Sequence, residues 1–248
     1  MLEQDYDFFL ADTDAGKSIH FNLRYQIYCL RERFEDPNRY PNFLEQDEYD
    51  DSSAHFIARC RNSGEWLGAM RLIIAPALHL PMAKISTIDP ENFAHPAWSK
   101  VAEASRLCTL LPSSSRASFS TAGSKTVRRR ERSQSFATRA LQASWIAVGL
   151  IRAARQYCLR NEITYCFFLI SDPLARMLRR LGMEIEAVGS PCQHRGWRSP
   201  YIHNVASGYQ AMSVRSPELY QSFCRPDAYA HFSERDEGLD SAPIAAIG

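Results

Sequence analysis

Five carboxylates fall within the eight residues Leu44–Asp51: Glu45, Asp47, Glu48, Asp50 and Asp51. Farther on, Glu103 and Arg106 stand inside an otherwise apolar run. Acids beside buried strands cost free energy unless they pair with cations or hold a ligand. Arg24, Arg71 and Arg106 are the cations at hand. Together these residue types describe a polar pocket for a small amine-bearing substrate. Carboxylates hold an ammonium group, a guanidinium fork grips a carboxylate through two parallel hydrogen bonds, and a buried Glu103 acquires the raised pKa of a useful general base. The plainer alternatives are a solvated run of acids at 45–51 and structural ion pairs at Glu103 and Arg106. Strict alternation puts Val101, Glu103, Ser105 and Leu107 on one face, and Ala102, Ala104, Arg106 and Cys108 on the other.

The elements that must position these groups follow from spacing. Residues 18–34 repeat apolar side chains at helical intervals, and Ser18 is placed to cap them. Pro37 and Pro41 enforce a loop. Residues 54–61 and 66–75 predict two strands joined by a hairpin turn at 62–65. A Pro-rich connector leads to a third strand at 101–108. The segment 112–135 is rich in Ser and Arg and predicts a long basic loop. Residues 136–160 then carry one apolar stripe (Phe136, Ala140, Ala143, Ala147, Ile151, Ala154, Cys158) and predict the main helix. A buried strand at 163–170, a short helix opened by Pro173 and stopped at Gly182, and strands at 184–188 and 209–214 complete the order. This describes an α+β domain, a mixed and mostly antiparallel sheet with helices on both faces, filling residues 1–235 and followed by a disordered tail at 236–248.

Composition narrows the class. The chain has 248 residues, 45% apolar and 23% charged, with a net charge of +1; that suits one large globular domain. Seven scattered cysteines without a Cys-x-x-Cys pair point to a reducing cytoplasm, and no export signal or transmembrane segment is visible. His and Cys spacing gives no metal motif. The basic block Lys125, Arg128, Arg129, Arg130 and Arg132 is an anion dock or a solvated loop. Without interleaved aromatics it does not point to nucleic acid. Since the following helix lacks a Gly-rich pyrophosphate turn, an acidic carrier protein suits it better than a free nucleotide carrier.

Four spaced signals, Leu23-Arg24-Tyr25-Gln26-Ile27-Tyr28, Glu45-x-Asp47-x-Tyr49-Asp50, Gly68-x-x-Arg71-Leu72 and Glu103-x-Ser105-Arg106, resemble the core motifs of acyl-homoserine-lactone autoinducer synthases. They are closer still to the N-acyl amino acid synthases and to the acyltransferases of PEP-CTERM/exosortase systems. The resemblance covers about residues 20–190. It implies a GNAT-like acyltransferase fold whose third and fourth strands, as numbered from sequence, splay apart to admit a pantetheine arm. It also implies a fatty acyl group delivered as a thioester on acyl carrier protein, with no tightly bound cofactor. The family pattern carries over to Arg24, Glu45, Asp47, Asp50, Arg71 and Glu103, which would shape the acceptor site, with Glu103 and Glu45 nearest the chemistry. Ser105 and Arg106 would support it, and Tyr28 and Phe34 fall where the autoinducer synthases carry Phe and Trp. Those two departures favour an amino acid acceptor over S-adenosylmethionine. An autoinducer synthase and a non-catalytic acyl- or carrier-binding regulator are the alternatives.

Overall fold

The computed structural model describes residues 5–86, 88, 100–110, 125–233 and 236, and for 125–140 the backbone alone. Residues 237–248 of the expected tail, and the stretch 112–124 of the expected basic loop, lie outside the described residues.

Nine strands form one sheet. In chain order the elements are β1 (Tyr6–Leu10), α1 (Asp14–Arg24), a π-helical stretch (Tyr25–Arg31), β2 (Ser53–Cys60), β3 (Trp66–Ile74), α2 (Pro81–Ile85), β4 (Val101–Thr109) and α3 (Lys125–Arg160). There follow β5 (Tyr165–Ile170), α4 (Asp172–Arg180), β6 (Glu186–Ala187), β7 (Cys192–Gln193), β8 (Trp197–Asn204), α5 (Gln210–Arg215), α6 (Pro217–Cys224) and β9 (Ala230–His231). The strands lie in the order β6-β8-β5-β4-β3-β2-β1-β9, with β7 paired to β8. Pairing is antiparallel except at β4–β5 and β1–β9.

One face packs against α3, through Phe8, Phe56, Leu72 and Ala102 against Ile146, Leu150 and Ala153. Gly149 is required there, because a Cβ would sit 1.9 Å from Cζ of Phe8. The other face packs against α1 through Leu23, Ile27, Ile57 and Ala69, and against the α2 region through Leu80, Met82, Ile73 and Phe167.

Several boundaries differ from the sequence reading. The first helix begins at Asp14 with Thr13 as its cap, accepting from the Gly16 N–H at 3.1 Å, so Ser18 is interior. After Arg24 it widens, and the Glu32 N–H donates to the Ile27 carbonyl five residues back. The main helix starts at Lys125, not Phe136, so 125–135 is helical and not loop. Residues 210–215 are helix where a strand was expected. The short helix does end at Gly182, whose φ of +92° needs a residue without a Cβ. All seven cysteines are free. Among the described residues no helix is long and apolar enough to cross a membrane.

Candidate active site

The acid cluster folds onto the α1 face of the sheet. Asp50 Oδ2 accepts the Asp47 N–H at 2.8 Å and Asp47 Oδ1 accepts the Tyr49 N–H at 3.0 Å, which curls 47–50 into a tight turn. The Glu45 N–H donates to the Phe21 carbonyl and ties the turn to α1. Glu48 and Asp51, the two acids of the run to which the family pattern does not carry over, are exposed.

Glu45, Asp47 and Asp50 meet Arg24, Arg71 and Arg106 in a closed ring of alternating charge. Arg24 bonds Glu45 at 2.5 Å and Asp50 at 2.6 Å. Arg71 bonds Asp50 at 2.9 Å and Asp47 at 2.5 Å, and Arg106 bonds Asp47 at 2.8 Å and Glu45 at 3.0 Å. Every guanidinium holds two carboxylates, and every carboxylate two guanidiniums. His55 adds a contact to Asp50 at 3.1 Å, and Arg71 donates to Ser105 Oγ at 3.0 Å. His55, Arg71 and Ser105 lie side by side across β2, β3 and β4.

Arg106 reaches this ring through a β-bulge. Arg71 pairs with Ser105 and Ala69 with Cys108, so β4 carries one residue more than β3 between these pairs, and Arg106 has a φ of +52°. A bulge of this kind turns two successive side chains to the same side. The expectation that Glu103 and Arg106 lie on opposite faces is therefore corrected: Glu103, Ser105, Arg106 and Cys108 all project to the α1 face, and Leu107 packs with the α3 face.

After Glu103, just before the bulge, β4 parts from β5. It pairs with β5 only at Val101–Glu103, while Phe168–Ile170 pair with β8 alone. The two strands part as a wedge, as the resemblance implied. A cavity of about 510 Å³ runs through it. On the α1 face it is lined by Tyr28, Phe34, Arg71, Glu103, Ser105, Arg106, His194, Arg195 and Arg198. On the α3 face it is lined by Ala147, Ile151, Ala154, Leu174, Leu178 and Met183. Ala147, Ile151 and Ala154 belong to the apolar stripe seen in the sequence, and their small size at two of three positions leaves the groove open.

The electrostatics separate the carboxylates. Burial would raise the Glu45 carboxyl, but Arg24 and Arg106 override it and hold it at about 2. Burial likewise opposes the Asp50 charge, and the His55 and Arg24 bonds push its carboxyl far below the usual range. Glu103 goes the other way. Burial raises it to about 7, against the Met82 N–H at 2.8 Å and the charges of Arg71 and Arg106. The Tyr28 hydroxyl, beneath Arg106 and Arg195, is pushed up to about 12 by burial.

Of the sequence-predicted residues, Tyr28, Phe34, Arg71, Glu103, Ser105 and Arg106 border the cavity. Arg24, Glu45, Asp47 and Asp50 do not; they lock the ring behind it. Glu45 is fully buried between two cations. That is an environment that holds a carboxylate charged, away from the cavity that Glu103 borders. Lys125, Arg128, Arg129, Arg130 and Arg132 lie on the first turns of α3, where only the backbone is described. The β7–β8 hairpin, which the sequence reading did not use, delivers His194, Arg195 and Arg198. Its signal is the Arg195-Gly196 pair, whose φ of +51° and +92° make the turn. Among the described residues no group of three His, Cys, Asp or Glu side chains is placed to hold a metal ion.

A family profile described as an acetyltransferase (GNAT) domain matches residues 23–118, the segment that carries all six ring residues. No curated protein sequence matches the chain. Among solved structures, TofI in a ternary complex with an inhibitor and MTA is 18% identical, with a TM-score of 0.57 over 87% of this chain and 100% of that one. BjaI, a CoA-dependent acyl-homoserine lactone synthase solved with SAM and isopentyl-CoA, is 15% identical, with a TM-score of 0.56 over 92% and 93%. FeeM, an N-acyl amino acid synthase from uncultured soil microbes, is 15% identical, with a TM-score of 0.51 over 85% and 96%. Residues 23–118 thus match the acetyltransferase (GNAT) profile, and the chain has the fold that TofI, BjaI and FeeM share.

Proposed function

We propose that the protein is an N-acyltransferase that moves a fatty acyl group from an acyl carrier protein thioester to the amine of an amino acid or related small acceptor. The observation that carries this reading is the division of one cavity. Its α3 half is apolar, its α1 half is polar, and Glu103 stands where the two meet at the wedge. An acyl chain lies along Ala147, Ile151 and Ala154, with about 0.8 kcal/mol for each buried methylene. The acceptor sits on the α1 side.

An ammonium group must lose a proton before it can attack. Glu103, with a carboxyl raised to about 7, takes that proton, directly or through one water. The amine nitrogen then bonds to the thioester carbon. Backbone N–H groups along the stretch of β4 that has left β5 face the developing oxyanion, a donor typically worth ~3 kcal/mol. Collapse breaks the C–S bond, the protonated Glu103 gives its proton to the departing thiolate, and the second amine proton passes to solvent water, which leaves a neutral amide and an ionised Glu103. The ring behind the site fixes Arg71 and Arg106, so Ser105 and the bulge hold one geometry throughout. The basic first turns of α3 steer the acidic carrier, and the reaction belongs in a reducing, cytoplasmic setting.

A second reading is supported by BjaI, a protein of this fold solved with SAM and isopentyl-CoA: an acyl-homoserine lactone synthase. Mass spectrometry of lipid extracts from an expressing host separates the two. New acyl amino acids support the proposal, and new acyl lactones support the alternative. An extract unchanged by expression counts against both and favours a non-catalytic binding protein.

A further inference from the structure

An amino acid acceptor brings a carboxylate as well as an amine, and the sequence offers Arg24, Arg71 and Arg106 for it. Their forks are already committed to Glu45, Asp47 and Asp50. Two further cavity arginines are also neutralised, Arg31 by Glu32 and Arg195 by Glu35. Arg155 belongs to α3 on the apolar side, its Nη1 donating to the Phe223 carbonyl and its guanidinium over the Tyr209 ring, away from the acceptor. Arg198 differs. Its Nε donates to the His194 carbonyl at 2.8 Å and its Nη2 to the Arg195 carbonyl at 3.4 Å, and among the described residues it has no carboxylate partner. Those two neutral contacts fix the guanidinium and leave three of its five N–H groups for a ligand.

Register places Arg198 on the acceptor side. Glu103 pairs with Phe167 and Phe167 with Ile202, and Pro200 and Arg198 follow Ile202 on the same face of β8. Arg198 is therefore on the Glu103 face of the sheet, and it borders the same cavity as Glu103, Ser105 and Arg106. The neighbouring His194 is kept neutral by burial and by the charges of Arg195 and Arg198, so the unbalanced charge on this wall is the Arg198 guanidinium.

We infer that Arg198 is the carboxylate-recognition residue of the acceptor site, gripping the acid of the incoming amino acid while its amine is presented to Glu103. The inference rests on the amine-acceptor reading above. It makes specificity a property of the β7–β8 hairpin, not of the acid and arginine motif.

The test is steady-state kinetics of Arg198→Met and Arg198→Lys with an acyl carrier protein thioester and an amino acid, beside the same amine lacking its carboxylate. Arg198→Met should raise the acceptor KM by roughly tenfold or more, leave the donor KM within about twofold, and abolish the preference for the carboxylated amine. Arg198→Lys should fall between. An unchanged acceptor KM, or a rise confined to the donor KM as expected of a phosphate contact, overturns the inference. Calorimetry with N-dodecanoylglycine and its methyl ester reads the same contact without turnover. The wild type should favour the acid by roughly tenfold and Arg198→Met should not; a preference that survives the substitution also overturns it. A wild type that binds the acid in this way but forms no amide would instead refute the catalytic reading.

Discussion

Replacing Glu103 with Gln should make the protein more stable as the pH rises while removing most of its activity. Burial lifts this carboxyl from an ordinary 4.5 to about 7. At about 1.4 kcal/mol per pH unit, ionising it in the fold is on the order of 3 kcal/mol harder than in the unfolded chain. The sign follows from proton counts. Between about pH 4.5 and pH 7 the folded protein holds a proton that the unfolded chain has released, so stability conferred at low pH is lost as pH rises through the folded value. Gln still offers an oxygen to the Met82 N–H and never ionises. The advantage of Glu103→Gln over wild type should therefore grow between pH 4.5 and pH 8 by up to about 3 kcal/mol. For a domain of this size that corresponds to roughly 5–10 °C in Tm. Over the same range wild-type kcat/KM for the acceptor should rise through about pH 7, and Glu103→Gln should lose on the order of 10²–10⁴ in rate without that rise. Thermal melts and pH–rate profiles on both proteins supply the readout. A Tm difference that does not change with pH, together with retained kcat, would refute the assignment.

Arg24→Met leaves Glu45 and Asp50 each with one guanidinium in a buried ring, and should cost about 3–5 kcal/mol in urea denaturation. Because the ring holds Glu45 at about 2 and Asp50 lower than usual, its contribution is present above about pH 4.5 and lost as pH falls toward those values; circular dichroism from pH 5 to pH 2 should show wild type unfolding there. Ala154→Phe fills the apolar half of the cavity, so kcat/KM should shift toward shorter acyl donors, with acceptor KM unchanged. Changing Arg128, Arg129 and Arg130 together to Ala should raise KM for the carrier-protein thioester, most clearly at low salt, and unchanged values at low salt would remove these residues from docking.

Much of this fold was legible because burial imposes periodicity. The apolar runs at 54–61 and 66–75 are strands buried on both faces, and the stripe from Ala147 to Cys158 is the buried side of α3. Both strands stand where the pattern put them, while α3 begins earlier. What was missed has physical reasons. Tyr6–Leu10 is a strand of five residues interrupted by Asp7, too short for its alternation to stand out. Residues 210–215 carry no more pattern than one helical turn and a half, and their helix is fixed by packing of Met212 into the core. The early start of α3 lies in a stretch with little apolar content, so no buried stripe announced it. The site was legible as a set of residues but not as a circuit. Spacing brought Arg24, Glu45, Asp47, Asp50, Arg71 and Arg106 onto the page together, yet the ring depends on the bulge that turns Arg106 to the face of Ser105. No local residue type announces a positive φ at an arginine. That single backbone choice changes the acid cluster from an ammonium trap into a neutral brace, and it leaves Glu103 as the carboxylate of the set that borders the cavity outside the ring.

The most direct measurement supplies the purified protein with one acyl carrier protein thioester, an equimolar mixture of amino acids and S-adenosylmethionine together, and identifies the products by mass spectrometry. The account predicts an N-acyl amino acid formed in step with thiol release, and its loss in Glu103→Gln. An acyl lactone as the main product, or thiol release with no amide formed, would contradict it.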